Sequence, residues 1–159
     1  MGNMRTVTGL ASVDVETSLQ PEVARLLAHS DVVAARLYPG EYRRPITCES
    51  LANPDSYVFI ARLSGTAVGL CVVFDRGDRT VGIKRMIVDE DARGCGVGTA
   101  LLSKAHMEAS KLGAHAALLE VGIHNTEARA LYRGAGYKAR APFSPHKASP
   151  ISLFMARAL

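Results

Sequence analysis

The stretch from Val81 to Leu112, VGIKRMIVDEDARGCGVGTALLSKAHMEASKL, constrains this chain more than any other. Ile83, Met86, Ile87 and Val88 form an apolar, mostly β-branched run that reads as a buried strand. A polar turn follows from Asp89 to Ala92, then Arg93-Gly94-Cys95-Gly96-Val97-Gly98-Thr99, then a segment with helical apolar spacing. Strand, glycine loop and helix in that order aim several backbone N–H groups at one point. The first turn of a helix has about four unpaired N–H groups and a partial positive charge. Glycine removes the Cβ atoms that would hold an anion away from them. Such a loop either takes a phosphate or pyrophosphate or is a plain tight turn.

Three phosphate-site patterns compete for these letters. A Walker loop closes on Gly-Lys-Ser/Thr, with the Lys on the terminal phosphates, and Gly98-Thr99-Ala100 has no Lys. A dinucleotide fold places G-x-G-x-x-G directly behind its strand. Here the glycines stand at 94, 96 and 98, after a turn, with little chain remaining. An S-adenosylmethionine methyltransferase loop is closer in letters, but its acidic residue belongs at the strand end, and Asp91-Ala92-Arg93-Gly94 misplaces it.

The 159 residues, 48% of them apolar, are expected to form one domain over 1–159 with a substantial core. No apolar run approaches membrane-spanning length, and no apolar region follows Met1-Gly2-Asn3-Met4-Arg5, so neither a membrane span nor a signal peptide is expected. Cys48, Cys71 and Cys95 are odd in number and widely spaced, which predicts free thiols and a cytoplasmic protein. The five His lack ligand spacing, so no metal is expected. The net charge of +4 comes without a Lys/Arg run or aromatic–basic interleaving, which argues against nucleic acid and fits an anionic cofactor.

Met4 to Val15 suggests a first strand. Pro21 opens a helix to about His29, and Ser30-Asp31 offers a cap for a second one over Val32 to Leu37. A short helix is expected near Cys48 to Ala52. Tyr57–Leu63, Ala67–Phe74 and Val81–Val88 are apolar runs joined by short turns, an antiparallel meander. The helix after the glycine loop carries Leu101, Ala105, Ala109 and Leu112 on one face, and Lys104, Glu108 and Lys111 at ion-pair spacings on the other. Ala116–Val121 is a fifth strand. Asn125 caps a further helix with a buried stripe of Ala128, Leu131, Tyr132 and Ala135. Tyr137–Phe143 and Ile151–Met155 read as final strands. Strand, helix, strand around the glycine loop is a crossover unit, so strands 4 and 5 run parallel in a mixed sheet.

Two ordered blocks then point one way. Arg93-x-x-Gly96-x-Gly98 follows a strand ending Met86-Ile87-Val88, and Asn125-x-x-Ala128-x-x-Leu131-Tyr132-x-x-x-Gly136-Tyr137 follows about thirty residues later. They resemble the acetyl-CoA loop and the Asn-x-x-Ala-x-x-Leu-Tyr-x-x-x-Gly-Phe/Tyr block of the GNAT N-acetyltransferase superfamily. The resemblance spans most of Val58 to Met155. It implies an α/β (α+β) fold: a mixed, mostly antiparallel sheet of six to seven strands, about four flanking helices, and strands 4 and 5 parallel and splayed.

The resemblance also implies a site. Met86, Ile87 and Val88 would lie along the pantetheine arm, with backbone groups of Met86 and Val88 pairing with it as an added strand does. Arg93, Gly94, Cys95, Gly96, Val97, Gly98 and Thr99 would cradle the pyrophosphate. Asn125 and Tyr132, seven apart and so on one helix face, would meet the amide or thiol end. Tyr132 would serve the departing thiolate, and the Val88 amide the developing oxyanion. Many relatives keep a carboxylate near the start of strand 4, where this chain has Gly82 and Lys84. Glu120 is therefore the expected base, directly or through water, with His124 and His146 as further candidates. Arg85, Arg43 and Tyr38 are expected at the acceptor, a small molecule with both an amine and an acid group, because the acceptor-side segments are not rich in acids. The reaction implied is acetyl transfer to a primary amine. A homodimer is compatible with it, and a non-catalytic acyl-CoA-binding module is the alternative.

Overall fold

The computed structural model describes residues 11–40 and 46–159. A seven-stranded sheet runs in the order β1-β2-β3-β4-β5-β7-β6. Its strands are β1 (Ser12–Glu16), β2 (Ser56–Leu63), β3 (Thr66–Asp75), β4 (Thr80–Val88), β5 (Ala116–Gly122), β6 (Lys138–Arg140) and β7 (Ser152–Ala158). The helices are α1 (Pro21–Leu37), α2 (Val97–Lys111) and α3 (Thr126–Gly134), with one 3-10 turn at Glu90–Ala92. The expected first strand is shorter than Met4–Val15, and its residues 4–10 lie outside the described residues.

Two helices were expected before the meander, and one continuous helix occupies both places. Ser30 and Asp31 are modest helix formers, costing at most about 0.7 kcal/mol each against Ala, and do not break a helix already anchored by buried Val23, Leu26 and Leu27. The helix expected near Cys48 is a single turn. Thr47 and Ser50 cap one another through side-chain oxygens at 3.0 Å, and the chain leaves at once. The described residues thus hold three α-helices rather than about four. Leu112, expected on the buried face of its helix, is 49% exposed because it is the C-cap of α2, beyond the packed stripe. The ion pairs on the opposite face are present, with Glu108 3.7 Å from Lys104 and 3.3 Å from Lys111.

The sheet has two dissimilar faces. One is covered by α2 and α3, whose Val97, Leu101, Leu102, Ala105, Ala109 and Tyr132 pack onto Phe59, Cys71, Val81, Ile83, Ala117 and Leu119. The other is covered by α1 over Val58, Ile60, Leu70, Val72 and Ile87. Beyond α1 lies a small cluster of Leu118, Phe143 and Phe154. The expected strand over Tyr137–Phe143 is reduced to the three residues of β6, and Phe143 packs on that cluster instead.

β4 and β5 are parallel, as the crossover demanded. Their pairing stops early, running only from Thr80↔Ala116 to Ile83↔Leu119. The cause lies on the other edge of β4. The β3–β4 register shifts between Leu70 and Val72, so Arg85 and Met86 stand opposite Cys71 alone. Arg85 takes φ +56, a left-handed conformation that non-glycine residues seldom adopt. A bulge of this kind bends and twists its strand. Among the described residues, β5 pairs with β4 no further than Ile83.

Candidate active site

The opening between β4 and β5 leads at one end to the glycine loop. Gly94 and Gly96 have φ +75 and +81, and no atom approaches within 4 Å of a Cβ built on either. Backbone conformation, not crowding, therefore requires glycine there. Gly96 is the N-cap of α2 and makes no side-chain cap. The first helical bond is Ala100 N–H to Gly96 C=O, at 2.9 Å, leaving the N–H groups of Val97, Gly98 and Thr99 as first-turn donors. Gly98 also touches packing: a Cβ there would fall 2.9 Å from Leu131 Cδ2, so a larger residue would push the Leu131 side chain of α3 aside. Arg93 clamps the loop, donating to the Val88 carbonyl at 3.4 Å and pairing with Glu127 of α3 at 3.5 Å. Cys95 is half-buried with a free thiol. A bare, donor-rich cradle with left-handed glycines fits a diphosphate.

Tyr132 is 5% exposed and meets Tyr137 edge-on at 5.6 Å. Burial, with Cys71 and Tyr137 beside it, pushes its phenol well above the ordinary range, so it is neutral at every physiological pH. Among the described residues its hydroxyl has no hydrogen-bond partner. Only Tyr132 of the expected stripe is fully buried; Ala128, Leu131 and Ala135 are half-buried.

Asn125 occupies the N-cap position of α3, but its side chain does not cap. Its Oδ1 accepts from the Tyr38 hydroxyl at 2.9 Å, and that hydroxyl accepts the His124 N–H at 2.9 Å. A Cβ on Gly122 would lie 1.9 Å from the Tyr38 oxygen, so glycine at the end of β5 admits the phenol. Tyr38, expected against the acceptor, thus ties the end of α1 to the β5–α3 turn.

On the α1 face the splay exposes charge. Lys84 and Glu120 stand beyond the last β4–β5 rung, each two residues past a neighbour of that face, Gly82 and Leu118. The Lys84 ammonium lies 4.4 Å above the Phe74 ring. Desolvation, then Arg85, lowers its pKa, and Glu120 opposes the shift. Glu120 accepts from the Ser152 hydroxyl at 2.6 Å and lies 3.3 Å from His146 Nδ1. Met86–Val88 lead along β4 toward the glycine loop, Asn125 stands at the turn after β5, and Glu120 lies beyond the last β4–β5 rung, while Tyr132 is buried in the core beneath α2 and α3. His124 is turned toward Tyr38, ring centres 5.2 Å apart. Arg43 lies outside the described residues.

No motif in the sequence links Lys84, His146 and Ser152 to Glu120. Strand parity carried the signal for Lys84, since parallel strands in register put Gly82 with Leu118 and hence Lys84 with Glu120 on one face. No local signal marked His146 or Ser152.

The profile of the acetyltransferase (GNAT) family matches residues 23–137, more than half of the chain. This chain belongs to the GNAT acetyltransferase family. It is 38% identical over 145 residues to a protein of Azospirillum brasilense named IAA acetyltransferase, covering 91% of this chain and 95% of that one. A Klebsiella pneumoniae structure described as an acyl-CoA N-acyltransferase superposes with TM-score 0.83 at 27% identity, over 95% of this chain and 99% of the other. The PaiA N-acetyltransferase of Thermoplasma acidophilum, solved with coenzyme A, shares the fold at TM-score 0.75 and 15% identity, over 94% and 99% of the two chains. The GNAT assignment supports acyltransfer from an acyl-CoA and sets the methyltransferase alternative aside. The seven-stranded sheet with parallel, splayed β4 and β5 agrees with the fold expected from the resemblance.

Proposed function

We propose that this GNAT protein transfers an acetyl group from acetyl-CoA to the primary amine of a small acceptor that also carries an acid group, by direct attack with both substrates bound. The observation that carries the proposal is the edge of β4 that β5 leaves after Ile83, between the glycine loop and the charged opening beside Glu120. That edge suits an extended amide-bearing arm, which pairs with it as an added strand would.

In this reading, the amides of residues 93–99 hold the diphosphate, and Thr99 adds its hydroxyl. Met86, Ile87 and Val88 line the pantetheine arm, and Asn125, steadied by Tyr38, fixes its far end. The bound thioester supplies an activated acetyl group and a thiolate leaving group. The Val88 amide faces the developing oxyanion, a preorganised donor that gives most where charge appears. Tyr132 donates to the thiolate. A phenol kept neutral by burial is a poor acid, so its share is a stabilising hydrogen bond more than complete proton transfer.

The amine must be freed of its proton before it attacks. At a pKa near 10, only about one part in a thousand is neutral at pH 7, a penalty of roughly 4 kcal/mol. Glu120 helps to lift it. Lys84 and Arg85 make the opening cationic and suit an acceptor carboxylate or phosphonate, with Arg43 as a further contact.

Release of coenzyme A, followed with a panel of amino acids, aminophosphonates and polyamines, tests the proposal. Turnover with anionic amines is expected. Preference for polyamines overturns the acceptor class. Tight acetyl-CoA binding without turnover on any amine favours a binding module instead.

A further inference from the structure

The loop between β6 and β7 brings His146 over the splay beside Glu120. Its Nδ1 lies 3.3 Å from Glu120 Oε1, while the other carboxylate oxygen accepts the Ser152 hydroxyl at 2.6 Å. The ring rests edge-on against Phe143, 5.2 Å between centres, and 5.9 Å from Phe154. The His146 N–H donates to the Phe143 carbonyl at 2.8 Å, which fixes the backbone beneath the ring. Three neighbours thus orient the imidazole, while among the described residues Nε2 has no hydrogen-bond partner. The side chain is 27% exposed, so the ring is not sealed off from solvent.

We infer that His146 is the group that takes the proton from the acceptor amine, with Glu120 as its positioning residue. The inference deepens the acetyl-transfer proposal and rests on it. A carboxylate beside Nδ1 favours the tautomer with the proton there, which leaves the Nε2 lone pair free. Both oxygens of Glu120 are already engaged, and an imidazole is the better matched base near neutral pH than a carboxylate. The ammonium gives one proton to Nε2, and the free amine forms the N–C bond. The C–S bond breaks, the second N–H proton passes to the thiolate sulfur, and imidazolium returns its proton to solvent. Acetyl amide, thiol and one released proton balance the ammonium and the thioester. The charged groups facing this histidine are Glu120 on β5, Lys84 on β4 across the splay, and Arg76 and Arg140, whose guanidinium carbons lie 4.9 and 5.4 Å from the Phe143 ring centre. Lys147 is its chain neighbour.

The test is the pH profile of kcat/KM for the best acceptor, in the wild type, His146→Gln, His146→Ala and Glu120→Gln, with acetyl-CoA affinity measured alongside. In the wild type, activity is expected to rise with pH through an acidic limb. In His146→Gln, kcat/KM is expected to fall about a hundredfold at pH 7 and to lose that limb. His146→Ala is expected to regain activity with added imidazole. Glu120→Gln is expected to lower kcat about tenfold, because the imidazole loses the carboxylate that orients it, while acceptor KM and acetyl-CoA affinity stay within twofold. A His146→Gln enzyme that keeps the limb, or stays within threefold of wild type, overturns the assignment and leaves acetyl transfer standing. A wild type that binds acetyl-CoA but acetylates no amine overturns both.

Discussion

The two faces of the sheet treat polar groups in opposite ways. Beneath α2 and α3 they are sealed in, and His106, Tyr137 and Arg157 satisfy one another. His106 Nε2 is 2.7 Å from the Tyr137 hydroxyl, and Arg157 reaches its Nδ1 from β7. Burial drives these groups to their neutral forms: His106 is lowered to about 4, Cys71 is pushed up to about 12, and Tyr132 and Tyr137 rise as well. On the α1 side, Lys84, Glu120 and His146 stand at an opening where the strands part. One face spends its polar atoms on shape, the other keeps them within reach of a ligand. Both His106 and His146 touch aromatic rings, but both ring nitrogens of His106 are occupied, whereas His146 has one to offer.

The largest effect expected from this contrast is on stability in acid, and it comes from the closed face. Burial, and then the Arg157 charge, hold folded His106 near 4 against 6.5 for the free side chain. Between those values the unfolded chain binds the extra proton, so stability rises with pH. It is complete above about 6.5 and falls as the pH drops toward 4. The loss is on the order of 3 kcal/mol, at 1.36 kcal/mol per unit. Urea titrations across that range check it, with His106→Gln expected to flatten the slope. An unchanged slope in that variant would mean that the closed face is not where the acid sensitivity resides.

In the proposed mechanism, Tyr132 is the closed face's contribution to the reaction. Tyr132→Phe keeps the ring in the core and removes only the hydroxyl. kcat is expected to fall about a hundredfold, near 2.7 kcal/mol, with acetyl-CoA affinity unchanged. Stopped-flow turnover with equilibrium binding separates the two. Because the phenol stays neutral, its removal should leave the shape of the pH profile between 6 and 9 intact. A lost limb in that range would place titrating chemistry on the face described as closed.

The glycine loop belongs to neither face, and its substitutions sharpen the line between them. Gly96→Val puts a β-branched residue at φ +81, strained by roughly 1–2 kcal/mol, and sets a side chain in the proposed diphosphate site. Acetyl-CoA is expected to bind about thirtyfold more weakly by calorimetry, with the acid-stability slope unchanged. An affinity within threefold of wild type would mean that the diphosphate is held elsewhere.

How much of this was written in the sequence follows from what each part is made of. The cradle is backbone, built from neighbours in the chain, so Gly94, Gly96 and Gly98 announced it in one short run. The parallel pairing of β4 and β5 followed from handedness and connection length, and the Tyr132 block from its spacing. The break in pairing after Ile83 was implied only by resemblance, because a bulge at Arg85 leaves no residue signature: arginine is a poor candidate for a left-handed φ. The group around Glu120 was not legible. It joins residues 84, 120, 146 and 152, which come together only once β7 lies beside β5, and no periodicity links them. Ser30-Asp31 misled for the opposite reason, a cap signal overridden by a helix already held from its buried side.

The smallest expected effect tests how the two halves of the opening are tied together. Tyr38 spans from the end of α1 to Asn125 and His124, donating one hydrogen bond and accepting another. Tyr38→Phe removes both but keeps the ring beside His124, and a net loss of about 1 kcal/mol is expected, because water replaces part of each bond. Gly122→Ala reaches the same contact by another route, since its methyl would sit where the Tyr38 oxygen now lies and force the phenol aside. If Asn125 depends on that phenol for its aim, both variants should weaken acetyl-CoA binding by a similar factor of a few. If only Gly122→Ala does so, the cause is displacement of the β5–α3 turn, and the tie from α1 matters for stability alone.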